Sequence, residues 1–218
     1  MRIPLAKYGL RELLLFGGMA LAALVASALW AWYLAPLPAA ALVFVLAFFR
    51  DPTRRAPAEP GVIVAPADGT VTEVTEVVEP QFLHARAHKI GIFMSLASVH
   101  VNRSPCGGRV EAVEHRPGRF LDARDPAASA DNESNALAIG DAEGRDARVL
   151  VRQVAGLVAR RIVCTAAVGD RLERGQRIGM IKFGSRAEVY VPVEAGFDVA
   201  VKIGESTKAG ETVLGRFR

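Results

Sequence analysis

The chain is poor in cysteine: 218 residues hold two, Cys106 and Cys164. With no second pair, a disulfide framework is excluded and no zinc-ligand spacing exists. Both read as small, reduced core residues. There are four histidines and no H-E-x-x-H pair, no G-x-G-x-x-G fingerprint and no G-x-x-x-x-G-K-[ST] loop. No metal site is expected, and dinucleotide and P-loop chemistry have no motif to stand on. The C-terminal three quarters also lack net charge. Residues 1–55 carry six Lys/Arg and two acids, which is the whole +4, and residues 56–218 balance 21 basic against 21 acidic. A nucleic-acid binder carries its excess charge in the folded domain, so nucleic acid is not an expected partner.

Charge is absent altogether from Leu13 to Phe49. One membrane span needs about 20 apolar residues, so this run is long for one span and tight for two. Ala35-Pro36-Leu37-Pro38 divides it, because a proline inside a helix removes a hydrogen bond and clashes with the preceding turn. The pattern predicts helices over about 13–34 and 39–49, with Trp30, Trp32 and Tyr33 as interfacial aromatics near the break. The run is too long for a signal peptide, and no small-residue cleavage site follows it. Arg2, Lys7 and Arg11 flank one end; Arg50, Arg54 and Arg55 flank the other. Basic flanks face the cytoplasm, so residues 1–55 are expected to form a transmembrane helical hairpin in the inner membrane, with residues 56–218 on the cytoplasmic side.

From residue 56 onward the pattern is β. Thr70–Val77 alternates apolar and polar as a half-buried strand does; 62–65, 89–94, 108–115, 136–140, 147–153, 157–165, 187–192, 198–202 and 212–218 are further strands. Turns fall at Pro66–Gly69, Val168–Asp170 and Arg174–Gln176. Residues 116–135 form a long polar loop, and such loops are often functional. The expected fold is mainly β, a sandwich or barrel. Val64–Val71 and Val168–Gly179 look alike and resemble the hammerhead strands of biotinyl/lipoyl carrier domains. Lys182 is the nearest lysine to a carrier position, but it lacks the Met-Lys-Met or Asp-Lys-Ala setting. That resemblance extends to the fold alone.

One stretch breaks its own pattern. Gly179–Val189 reads as an apolar strand interrupted by Gly184-Ser185, and a glycine there marks a bulge or a close backbone approach. Two readings fit: a plain β-bulge, or a serine placed to attack its own preceding carbonyl.

Five features in order bear on the choice: the N-terminal apolar segment, Ala65-Pro66-Ala67-Asp68-Gly69, Ser98–Pro105 with His100 and Arg103, Asp131–Asn135, and Lys182-Phe183-Gly184-Ser185-Arg186. Together they resemble short-form bacterial phosphatidylserine decarboxylase proenzymes over nearly the whole chain. The resemblance implies self-cleavage between Gly184 and Ser185 into a β subunit (1–184) and an α subunit (185–218), which remain paired. Ser185 becomes a covalent pyruvoyl cofactor. That group forms a Schiff base with phosphatidylserine, releasing CO₂ and then phosphatidylethanolamine. It also implies catalytic roles for Ser185, His100 and Asp68, although an Asp at that turn is equally what a tight turn selects.

Long-form relatives carry a second histidine where Arg103 stands here, which leaves the cleavage base open between His100 and His115. His84 and His88 read as solvated loop residues. Arg103 and Arg186 are candidates for the lipid phosphate or carboxylate, and Glu133 and Asn135 for shaping the site. Membrane lipids are expected partners, with Arg50, Arg54 and Arg55 favouring anionic lipid by about 1 kcal/mol each. Two other readings compete: a non-catalytic membrane-tethered hammerhead adaptor, and a pyruvoyl-dependent decarboxylase of a soluble amino acid.

Overall fold

The computed structural model describes residues 4–125, 127–157, 161–182 and 184–218. The chain divides into two compact units, the first ending at Thr53 and the second starting at Arg54.

In the first unit, α1 (Leu10–Trp30) is followed by a 3-10 turn at Trp32–Leu34 and by α2 (Pro36–Phe48). The second helix starts earlier than the sequence suggests. Pro36 occupies its first turn, where a missing N–H costs nothing, so the prolines open this helix. Ala6 N–H donates to Phe49 O at 2.8 Å and Asp51 N–H to Pro4 O at 2.7 Å, so the two ends of the hairpin meet. The legs are unequal. The 21 residues of α1 rise about 31 Å, close to a hydrocarbon core, whereas the 13 of α2 rise only about 20 Å. Among the described residues one helical segment, Lys7–Trp30, is long and apolar enough to cross a membrane by length and composition. Leu14, Leu29, Trp30, Trp32 and Tyr33 are exposed on this unit.

The second unit is antiparallel β. Its elements are β1 (Val62–Val64), β2 (Gly69–Glu79), β3 (Ala85–Met94), β4 (Val101–Arg103), β5 (Gly108–Arg116), α3 (Ala128–Asp131), β6 (Ser134–Gly140), β7 (Val149–Val154), β8 (Ile162–Cys164), β9 (Arg171–Leu172), β10 (Arg177–Ile181), β11 (Ser185–Pro192), β12 (Phe197–Val199), β13 (Ser206–Thr207) and β14 (Val213–Phe217). Eight strands form the main sheet in the order β13-β2-β3-β11-β7-β6-β5-β9, and two three-stranded sheets run β1-β14-β12 and β4-β10-β8. The mainly β architecture agrees with the strand pattern. Side chains alternate across each strand, and the core gathers one set: Ile90, Ile92 and Met94 of β3, Leu137 and Ile139 of β6, Val149 and Val151 of β7, and Ala187, Val189 and Val191 of β11.

Three expectations change. Gly184-Ser185 does not interrupt one strand: β10 ends at Ile181 in a small sheet and β11 begins at Ser185 in the large one. The pair is therefore a corner between sheets, which rules out a plain bulge. Only Ile162–Cys164 of the expected 157–165 strand is extended, and residues 158–160 lie outside those described. His88 belongs to β3 rather than to a loop, its ring 6.2 Å from that of Phe197.

The loop between β5 and β6 is compact. Asn132, fully buried, donates to Leu121 O (3.0 Å) and Ala155 O (2.9 Å) and accepts from Leu121 N–H (2.8 Å). This clamps the loop onto the end of β7.

Candidate active site

Gly184 has φ +64°, a left-handed conformation that glycine adopts without penalty, and the space where a side chain would stand is open. Here the backbone conformation, not crowding, calls for glycine. It turns the chain from β10 onto β11, and the turn buries Ser185 completely on the inner face of the large sheet, opposite Met94 of β3. Ser185 Oγ–H donates to Met94 Sδ at 3.3 Å. A thioether is a weak acceptor, so this hydroxyl is held loosely.

His100, also fully buried, precedes β4 in the small sheet. Its Nδ1 lies 2.9 Å from Ser98 O, and its Nε2 accepts the Gly184 N–H at 3.4 Å. A carbonyl at one nitrogen and an N–H donor at the other require the neutral tautomer with hydrogen on Nδ1. The Nε2 lone pair therefore faces the backbone that enters the Gly184–Ser185 bond. The contact is long for a hydrogen bond, as catalytic contacts often are before reaction.

A chain of buried amides runs behind these groups. Asn135 Nδ2 donates to Gln153 Oε1 (3.2 Å), Gln153 Nε2 to Asn102 Oδ1 (2.9 Å), and Asn102 Nδ2 to Met94 Sδ (3.7 Å). Met94 thus joins the amide chain to the serine. Asn102 and Gln153 escaped the sequence reading. Asn102 stands within the Ser98–Pro105 motif, and Gln153 is a polar residue at an inward position of the Val149–Val154 run, a signal that alternation carries.

The other predicted residues are placed elsewhere. Asp68 ends a turn beside the start of β2; its Oδ2 meets Arg54 Nη2 at 2.7 Å and its Oδ1 accepts Ala209 N–H at 2.7 Å. Arg54 also meets Glu211 at 3.0 Å, so this arginine serves the β unit instead of lying free for lipid. His115 stands on β5, three strands or about 14 Å from β11. It is half exposed and pairs with Glu133 at 3.1 Å. Arg103 is buried and donates to Gly175 O at 3.0 Å.

Arg186 occupies the outer face of β11, opposite to Ser185, within a buried ionic cluster. It pairs with Glu73 and, at 2.9 Å, with Glu188. Lys89 Nζ lies 3.1 Å from Glu73 and 3.3 Å from Glu188, and the hydroxyls of Tyr190 (2.7 Å) and Ser129 (3.1 Å) complete the second carboxylate. Burial would push the Glu188 carboxyl up. The Lys89 ammonium, the Arg186 guanidinium and the two hydroxyls outweigh burial and hold it below the usual carboxylate range. Burial pushes both thiols, Cys106 and Cys164, above their ordinary value, so neither is an activated nucleophile. Among the described residues no three His, Cys, Asp or Glu side chains are grouped to hold a metal ion.

Comparison with known proteins decides the family. The phosphatidylserine decarboxylase family model matches residues 41–215. The chain belongs to the phosphatidylserine decarboxylase family. A phosphatidylserine decarboxylase proenzyme of Symbiobacterium thermophilum is 48% identical over 198 residues, 90% of each chain. Its counterpart in Solidesulfovibrio magneticus is 47% identical over 202 residues, 93% of this chain and 92% of that one. That of Mycolicibacterium vanbaalenii is 51% identical over 171 residues, covering 77% and 72%. Membership in a family of decarboxylases removes the adaptor reading.

Proposed function

We propose that this protein decarboxylates phosphatidylserine to phosphatidylethanolamine, using a pyruvoyl group that it makes from Ser185. The relatives' names support the substrate. The observation that carries the chemistry is the His100 Nε2 lone pair lying against the Gly184 N–H, one residue before a serine whose hydroxyl is held by a thioether.

In this reading His100 takes the Ser185 Oγ proton as Oγ adds to the Gly184 carbonyl carbon, then returns a proton to the Ser185 nitrogen as the C–N bond breaks. The resulting ester loses the Gly184 carboxylate by β-elimination. The dehydroalanine left behind takes up water and releases ammonia. Residues 1–184 and 185–218 stay paired because β11 remains hydrogen-bonded between β3 and β7. A pyruvoyl carbonyl supplies the sink for the electron pair left as CO₂ departs. Ser185 suits such a group, being the first residue of its strand, fully buried, and packed against the Met94 thioether. His100 is the assigned proton donor and acceptor during decarboxylation as well. Asp68 contributes to cleavage by fixing the turn that leads into β2. Residues 1–55 anchor the enzyme in the inner membrane, with Lys7, Arg11 and Arg50 at the cytoplasmic side, which keeps the site beside a lipid that does not leave the bilayer.

The test supplies purified protein with phosphatidylserine in mixed micelles and, separately, with free serine. CO₂ release from the lipid only, abolished by hydrazine, is the expected result. Release from free serine alone would favour the soluble-substrate reading, and release that hydrazine leaves untouched would rule out the pyruvoyl group.

A further inference from the structure

A second glycine borders the same bond, for the opposite reason. Gly156 follows β7 and has no positive φ, so its backbone suits any residue. Space forbids one. A Cβ at position 156 would collide with the Gly184 carbonyl oxygen and would stand 3.3 Å from the Gly184 carbonyl carbon and 3.2 Å from the Ala123 methyl. The backbone of Gly156 is braced from its neighbour: Ala155 donates to Glu133 O at 2.9 Å and accepts from Asn132 Nδ2 at 2.9 Å. Ala123 arrives on the same β5–β6 loop. The carbonyl of the bond to be cut and the Ala123 methyl therefore both border the space that a side chain at position 156 would need.

We infer that Gly156 is a positioning residue for self-cleavage, holding the Gly184 carbonyl turned so that its carbon is open to Ser185 Oγ and its oxygen has room to move as the carbon becomes tetrahedral. This rests on reading Gly184–Ser185 as the cleaved bond. The step itself is balanced within the chain. The Oγ–C bond forms, the C–N bond breaks, and the hydroxyl proton passes through His100 to the Ser185 nitrogen. A methyl group at position 156 displaces the carbonyl, and misplacement of a reacting group by about 1 Å costs on the order of a hundredfold. The β5–β6 loop thus acts on the cleavage site through packing and through no titratable group.

The experiment follows cleavage of the full chain during cell-free synthesis, as the first-order rate of conversion from one chain to two. Wild type, Gly156→Ala, Ala123→Val and Ser185→Ala are compared, each with and without hydroxylamine, which cuts an accumulated ester. Ala123→Val crowds the same space from the loop side and keeps the proposal testable should Gly156→Ala fold poorly. We expect both crowding variants to cleave on the order of a hundredfold more slowly, with no hydroxylamine-sensitive species, because the block precedes the ester. A chain that was only destabilised would lose yield and keep its rate. Wild-type rates in both variants would overturn the inference and leave the cleavage reading standing. An uncut wild type would overturn that reading itself.

Discussion

The two faces of β11 are both buried and differ in charge. The inner face presents Ser185, then Ala187, Val189 and Val191 to an apolar core, with the serine hydroxyl on the Met94 thioether and the buried amides beyond it. The outer face presents Arg186, Glu188 and Tyr190 to a buried ionic cluster. Reaction is assigned to the side where a thioether holds the nucleophile. Retention is assigned to the other side, where Arg186 and Glu188 are bound to Glu73 and Lys89, residues more than ninety positions earlier in the chain. A strand that is to be cut at its first residue needs such a fastening behind it. If the proposed cleavage removes the covalent restraint at residue 184, these pairings add to the backbone ladders with β3 and β7 in keeping the new end in register.

The largest effect expected from breaking this contrast is on the inner face. His100→Ala is predicted to slow cleavage by about 10²–10⁴-fold, read as the fraction of uncut chain over time, with the β fold intact by circular dichroism. On the outer face, Lys89→Met leaves the buried Glu188 carboxylate with Arg186 as its remaining cation, and denaturant titration should show a loss below the ~3–5 kcal/mol of a fully uncompensated buried charge. Its folded fraction should still cleave at the wild-type rate; slowed cleavage there would erase the division between the faces.

The sign of the pH effect follows from the same cluster. The folded Glu188 carboxyl titrates below its ordinary value of 4.5, so its contribution is fully present above that pH and is lost as pH falls through the lower folded value. Lys89→Met should flatten this acid limb of the stability profile.

Gln153→Leu is a smaller test of the inner face. It strips a partner from Asn102 and Asn135 and should cost about 1–3 kcal/mol, with cleavage slowed less than in His100→Ala. Asp68→Asn, which weakens the Arg54 pair at the turn into β2, should cost about 1 kcal/mol and slow cleavage only slightly, far less than His100→Ala. Cleavage as slow as in His100→Ala would instead give Asp68 a direct part in the reaction.

Much of this was legible in the residues. Alternation in β2, β3 and β6 marks the inner set, and the Gly184-Ser185 break stands out against apolar neighbours. What alternation does not carry is the partner of each strand. Nothing local to Lys182–Arg186 says that β10 and β11 belong to different sheets, so a corner and a bulge look alike. Arg186 looks like a headgroup ligand until Glu73, 113 positions away, is brought against it. Arg54 reads as a membrane flank for the same reason, its partners Asp68 and Glu211 being settled only by folding. The two glycines differ likewise. Gly184 breaks a visible pattern, whereas Gly156 owes its identity to a carbonyl 28 residues ahead.

The most direct test of the account is the intact mass of the purified protein beside its Ser185→Ala variant. Wild type should give two chains, residues 1–184 and 185–218, the smaller one blocked to sequential degradation and reactive toward a carbonyl reagent. The variant should remain one chain of about 23.3 kDa. A wild-type chain of full mass, isolated from membranes that decarboxylate phosphatidylserine, would contradict it.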